Sequence, residues 1–392
     1  MKKQVGLILL MGGVFCPVFA QDFTVTDIAV SPLIAGPTEV QVRSQLFDIS
    51  CQGGGYAAET LLRELELRFE VYNRLFRFNA AQLKAPLKVR AFTDKTAYDN
   101  YVSLKLASTR EGAVYLHYND AAKRELIIHL NSPEADRVLP HQAFIQYLRA
   151  FIPYPPTWMR EGFAIYFNTL KFNKETRELL YEENLAWLDT VKRMASERRE
   201  PSFQSVLLAD VNNQTPEYFH PMSWSIVSFL LNVGGGGDYF RSLTETFLLL
   251  DSTASAADND KIALSRLTNW TTLEKMHDDY TTYISSRQTF AELIVAGQEA
   301  YGVNDFTVAE TNFMEALWQK PNHYAPYYYL GLLSYATQNY DMAEQYYRSA
   351  LQFLPANHGP DDEALIQYAL GVNAASAGKT DEAVQYLNSA AT

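Results

Sequence analysis

The chain has 392 residues, 47% of them hydrophobic and 20% charged, and carries a formal net charge of −12. That length exceeds one ordinary core and predicts two or three domains, while the composition excludes a globally disordered chain. A surface of this sign repels phosphate backbones, so no nucleic-acid partner is expected.

Residues 1–20 read as a secretory signal: Lys2 and Lys3 begin it, Val5 to Val14 form its apolar core, and Val18-Phe19-Ala20 make a small-residue cleavage site. The expected location is therefore outside the cytoplasm, periplasmic or secreted. After cleavage only Cys51 remains, so no intramolecular disulfide is expected. No later stretch reaches the roughly 18 apolar residues of a membrane span.

In an N-terminal strand segment, 21–56, residues 21–50 alternate loosely, with Val25, Ile28, Val30, Val40 and Val42 in short strands that lead into Gly53-Gly54-Gly55. Apolar residues at helical spacing predict a helix over 57–76, and strands are predicted at 87–92, 113–116 and 126–130. Ser132-Pro133 is expected to open a helix that runs to about Phe151, with Pro140 kinking it or marking its true start. Thr157 is expected to cap a second helix from Trp158 to about Leu170, and further helices are predicted at 182–197, 221–232 and 238–250. Loops are predicted at 234–237 and 251–260. Strands first and helices afterwards imply an α+β domain as far as about residue 287.

Beyond that point a period emerges. Leu330, Gly331, Tyr335, Ala343, Tyr347, Ala350 and Pro355 are matched 34 residues earlier by Gly297, Tyr301, Ala309, Phe313, Ala316 and Pro321. Leu370, Gly371, Ala383, Leu387 and Ala390 follow 40 residues later, with six residues inserted near 358–363. This pattern resembles the tetratricopeptide repeat (TPR), in which small residues let two helices approach and large ones fill the space between repeats. The resemblance implies an all-α TPR solenoid over 288–392, with repeats at about 290–323, 324–357 and 364–392. It also implies a protein- or peptide-binding groove on the first helix of each repeat. By register that surface comprises Ile294, Gln298, Tyr301, Tyr328, Leu332, Tyr335, Tyr368 and Val372. An apolar, aromatic groove suits a helix or an extended apolar segment, and the alternative is that this surface packs on the preceding domain.

A second pattern lies upstream. His141-Gln142-Ala143-Phe144-Ile145 is followed, twenty residues after His141, by Glu161 within Pro156-Thr157-Trp158-Met159-Arg160-Glu161-Gly162-Phe163-Ala164-Ile165-Tyr166-Phe167. The latter resembles the P-x-W-x-x-E-G-x-A-x-Y-F stretch of the peptidase MA-like, gluzincin-type zinc metallopeptidases. The resemblance covers about 57–287 and implies a zincin-like metallopeptidase domain, mostly helical after its N-terminal sheet. It assigns His141 and Glu161 to metal-ligand positions. Gln142 stands at the general-base position, and Ile145 replaces the second histidine of H-E-x-x-H. An amide does not take a proton from water and an aliphatic side chain does not bind metal. Catalytic zinc sites use three protein ligands, so no cofactor is expected unless His129, His220 or Tyr218 supplies the missing donor.

No G-x-S-x-G elbow, G-x-x-x-x-G-K loop or C-x-x-C pair is present. The function expected from these residues is an exported pseudo-peptidase and TPR protein-binding or scaffold protein of the cell envelope. The alternative is an active zinc-dependent metallopeptidase with a non-standard ligand set.

Overall fold

The computed structural model describes residues 31–391 except 36–38, 174, 177, 182, 184, 210–214 and 234–236. The export signal expected for 1–20 and most of the loop expected at 234–237 lie outside the described residues. The described chain divides into two compact units that part at residues 285 and 286.

The first unit opens with β1 (Ser31–Ala35), β2 (Glu39–Arg43) and β3 (Phe47–Gln52), followed by the long helix α1 (Gly55–Phe76). Then come β4 (Leu87–Phe92), α2 (Lys95–Leu106), β5 (Ala113–Leu116) and β6 (Glu125–His129). The sheet order is β1-β2-β3-β4-β6-β5, with β3–β4 and β4–β6 parallel and the other pairs antiparallel. Segment 21–56 therefore contributes three strands to the sheet that the later strands complete. Among the described residues the strands follow the alternation seen in the sequence, and Val25, Ile28 and Val30 lie outside those residues. Helix α2 was not foreseen, because few of its residues face a core: only Tyr98 and Val102 are buried.

Period-two alternation sorts the side chains of β6. Leu126 and Ile128 join the core beneath α1 and α3 (Ala135–Phe151), whereas Ile127 packs with Phe92, Tyr98 and Val102 of β4 and α2. The main core is dense in aromatics. Tyr72 and Phe76 of α1 contact Phe144 and Tyr147 of α3 with ring centroids 5.2–5.9 Å apart. The buried Arg68 pairs with Glu64 at 2.6 Å and donates to the Leu170 carbonyl at 2.8 Å, tying α1 to the next hairpin.

Helix α3 starts at Ala135 rather than Ser132, and keeps Pro140 inside it. Helix α4 (Thr157–Phe167) begins one residue earlier than expected and has Pro156, not Thr157, at its cap. It ends before a hairpin of β7 (Leu170–Asn173) and β8 (Glu178–Tyr181), in a stretch for which the sequence predicts no element beyond a helix end near Leu170. Helices α5 (Ala186–Ser196), α6 (Phe203–Leu207), α7 (Pro216–Asn232), α8 (Asp238–Leu249), α9 (Ala256–Leu267) and α10 (Leu273–Ser286) complete the unit. Part of the loop expected at 251–260 is thus the first turn of α9.

Helices α4 and α7 cross at Gly162. A Cβ on that glycine would lie 2.8 Å from the Ser223 carbonyl carbon and 2.8 Å from a methyl of Val227. Only a bare Cα permits this approach.

The second unit is helical throughout: α11 (Phe290–Gly302), α12 (Phe306–Gln319), α13 (Tyr324–Ala336), α14 (Tyr340–Gln352), α15 (Pro360–Ser376) and α16 (Thr380–Ala390). They pair as α11/α12, α13/α14 and α15/α16, each with the same lock. A Cβ on Gly297, Gly331 or Gly371 would lie 2.7, 2.5 or 2.7 Å from Phe313, Tyr347 or Leu387 respectively. Part of the inserted segment lengthens α15 to 17 residues against 13 for α13, with Pro360 at its start and Asp361, Asp362 and Glu363 in its first turn. Proline and acids suit a helix N-terminus.

Gly162→Ala is expected to lower stability by about 2 kcal/mol, despite a helix-propensity gain of ~1 kcal/mol, because backbone cannot yield to the methyl. Gly302→Ala, where no heavy atom lies within 4 Å of the added carbon, should instead raise it by up to ~1 kcal/mol. Urea unfolding monitored by far-ultraviolet dichroism measures both.

Candidate functional site

The close crossing of α4 and α7 fixes what surrounds Glu161. His141 comes from α3, Glu161 and Arg160 from α4, and His220 from the first turns of α7, three residues before the Ser223 that Gly162 admits. The Nε2 atoms of His141 and His220 lie 3.6 and 4.0 Å from the same Glu161 oxygen, Oε2. The other oxygen, Oε1, accepts from Arg160 Nε at 2.8 Å. Glu161 is largely buried, with 13% of its side chain exposed. Burial would raise its carboxyl, but the His141 imidazole and the Arg160 guanidinium outweigh that and hold it at about 2. Burial lowers the His220 imidazole below its ordinary value, with the Glu161 charge opposing and His141 and Arg160 reinforcing.

Gln142 is committed elsewhere. Its Oε1 accepts the backbone N–H of Tyr115 at 2.9 Å, capping an outward-facing amide of the outer strand β5. Ile145 packs against the main core. The positions that the peptidase resemblance assigns to a base and a second imidazole thus hold a strand-capping amide and a core contact.

Of the other donors considered, two are elsewhere. His129 shares the parity of Ile127 on β6, and its ring stacks on Tyr98 of α2 at 5.5 Å, on the face of the sheet away from α3. Tyr218 accepts from Arg199 Nη2 at 2.5 Å, and that guanidinium also covers its ring. His220 alone reaches the Glu161 carboxylate.

Do these residues fit zinc? Bonds of about 2.0–2.1 Å in a tetrahedral site put donors roughly 3.4 Å apart. The His141–Glu161 pair is near that spacing, His220 is wider, and the guanidinium on Oε1 opposes a second cation. Among the described residues no group of three or more His, Cys, Asp or Glu side chains is disposed to hold a metal ion. As arranged, one donor pair stands near zinc spacing and the third donor, His220, lies 4.0 Å from the shared oxygen. Cys51 offers no alternative chemistry: it is buried, and burial pushes its thiol up to about 11.

The groove positions expected in the second unit all lie on first helices: Ile294, Gln298 and Tyr301 on α11, Tyr328, Leu332 and Tyr335 on α13, Tyr368 and Val372 on α15. None of the eight is fully buried, and Tyr368 is 57% exposed. Several also knit the repeats together. Gln298 bonds the Tyr329 hydroxyl, and the Tyr335 hydroxyl shares a hydrogen bond of 3.1 Å with Ser376.

Arg160, Arg149 and the β5 amide escaped the sequence reading. A signal existed for the first: an arginine directly beside a buried glutamate in an apolar helix needs an acceptor.

Residues 324–392 match the tetratricopeptide-repeat family model. No curated protein matches the chain. The matched segment holds the second and third helix pairs, and the α11/α12 pair repeats outside it their contact of a glycine with a large side chain. The repeats indicate a protein–protein interaction role, and no helix among the described residues is long and apolar enough to cross a membrane.

The depressed Glu161 carboxyl contributes stability that is in full force above its unfolded value near 4.5 and is lost as pH falls toward about 2. Wild type should therefore exceed Glu161→Gln by about 3 kcal/mol at pH 7, with most of that margin gone at pH 2.5. Parallel urea titrations at the two pH values read it.

Proposed function

We propose that this chain is an exported protein-binding scaffold of the cell envelope, in which a domain resembling the peptidase MA-like enzymes is catalytically inert and the TPR array recruits a protein or peptide. The observation that carries this reading is the state of Gln142 and Ile145. The first spends its oxygen on the Tyr115 N–H and the second its surface on the core, so neither of these two positions offers a base or an imidazole to Glu161. Loss of a general base alone removes about 10²–10⁴-fold of rate. The groove side of the repeats supports the binding half: it is aromatic and only partly buried, as a hydrophobic peptide surface should be.

One observation favours a hydrolytic alternative, an enzyme in which His220 replaces the second histidine: its Nε2 approaches the Glu161 oxygen that His141 also faces. The two readings separate on unfolded casein. The scaffold reading predicts no cleavage above buffer, with or without added zinc. Chelator-sensitive cleavage that His220→Ala abolishes would replace it with the enzymatic one.

On the binding side, the purified full chain is expected to retain one stable partner from an envelope extract. Tyr328→Ala with Tyr368→Ala should reduce that capture at least about tenfold, the loss expected when two aromatic anchors leave an interface. Undiminished capture by the double variant would place the binding surface elsewhere.

A further inference from the structure

The outer strand β5 borders a recess of about 380 Å³, within the range of small-ligand sites. Lys105, Arg110 and Arg149 line it together with Tyr115, His117, Tyr118 and aliphatic side chains of β5, and none of its lining residues is acidic. In a chain of net charge −12 this is a local reversal of sign. Arg110 bonds the Ser108 hydroxyl and the Thr109 carbonyl, and Lys105 lies over the Tyr101 ring, but the inner groups are left without partners. Arg149 Nε and both ring nitrogens of His117 are buried with no hydrogen-bond partner. Buried polar atoms are nearly always satisfied, so these atoms are available to an incoming polar group.

The surroundings say which kind. A second guanidinium, that of Arg124, stands beside Arg149: its Nε donates to the Tyr118 carbonyl at 2.7 Å and its Nη1 to the Arg149 carbonyl at 3.5 Å. Glu161 is the carboxylate that attracts Arg149, but its Oε1 is held by Arg160 at 2.8 Å. Burial, with Arg160 and Arg124 nearby, makes the charged form of Arg149 costly, and burial leaves His117 uncharged at neutral pH. An incoming carboxylate relieves that cost by forming charge-assisted hydrogen bonds with a guanidinium.

We propose that this recess binds a peptide by its C-terminal carboxylate, with Arg149 as charge partner, Lys105 and Arg110 at the rim, and the tyrosines and β5 aliphatics around an apolar last residue. On the outermost strand β5 the Ala113 amide already donates to the Glu111 carbonyl at 2.8 Å. The Tyr115 amide is already capped by Gln142, so recognition rests on the carboxylate rather than on a ladder bond at that point. Neither metal nor hydrolysis is required, and every lining residue belongs to the first unit.

Calorimetric titration of the full-length protein tests this with acetyl-dileucine as the free acid, the same peptide as its C-terminal amide, and inorganic phosphate. The acid is expected to bind with a Kd of about 1 mM or tighter, and the amide at least about tenfold more weakly, the ratio expected of a charged hydrogen bond. Arg149→Gln should weaken the acid by about tenfold or more and leave the amide unchanged. Lys105→Gln with Arg110→Gln, both at exposed positions, should weaken the acid by a smaller factor with the fold intact. Equal binding of acid and amide, phosphate binding without peptide binding, or no saturable binding overturns the proposal. Should Arg149→Gln fail to fold, the rim pair decides: an unchanged acid affinity there overturns it as well.

Discussion

The absence of one side chain sets the geometry of the first unit's polar centre. Gly162 lets α4 lie against the backbone of α7 at Ser223, and a methyl there would meet a carbonyl group that cannot move aside. Because Glu161 precedes that contact and His220 lies three residues before Ser223, the same crossing presses a carboxylate from one helix toward an imidazole from the other. His141 reaches the same oxygen from α3, itself held by the aromatic packing of Tyr72, Phe76, Phe144 and Tyr147. The polar cluster is thus a product of core packing and stays in place whether or not it performs chemistry.

Electrostatics then decide what such a cluster is suited to. A buried carboxylate beside a guanidinium and facing an imidazole is stabilised as an anion, which accounts for its depressed protonation. That same guanidinium competes with any metal for the carboxylate. Further along α3 the balance reverses, since Arg149 has no carboxylate of its own and shares its space with Arg124 and a neutral His117. Within one helix, then, the charge environment passes from a satisfied anion at His141 to an unsatisfied cation two turns later.

Much of this was legible in the residues. The repeats were readable because small residues at fixed spacing have one structural use, the close approach that Gly297, Gly331 and Gly371 make against Phe313, Tyr347 and Leu387. The alternation of Leu126, Ile127, Ile128 and His129 even contained the answer for His129, whose parity places it with Ile127 away from α3. The parallel pairing of β3 with β4 was not legible, since it joins segments separated by a helix and local pattern is silent on such pairs. The β7–β8 hairpin was hidden by the polar run between Asn173 and Glu178, which has neither the period of a strand nor a glycine turn. Gln142 could be recognised as unfit to be a base. Its bond to Tyr115 depends on how β5 sits over α3, which only the fold supplies.

The claim on which this account most depends is that the His141–Glu161–His220 cluster does not constitute a metal centre. Elemental analysis of protein purified without a histidine tag and dialysed against micromolar zinc tests it directly. The account predicts well under one zinc per chain, with no change in His141→Ala or His220→Ala. One tightly held zinc per chain, lost in both substitutions, would contradict it.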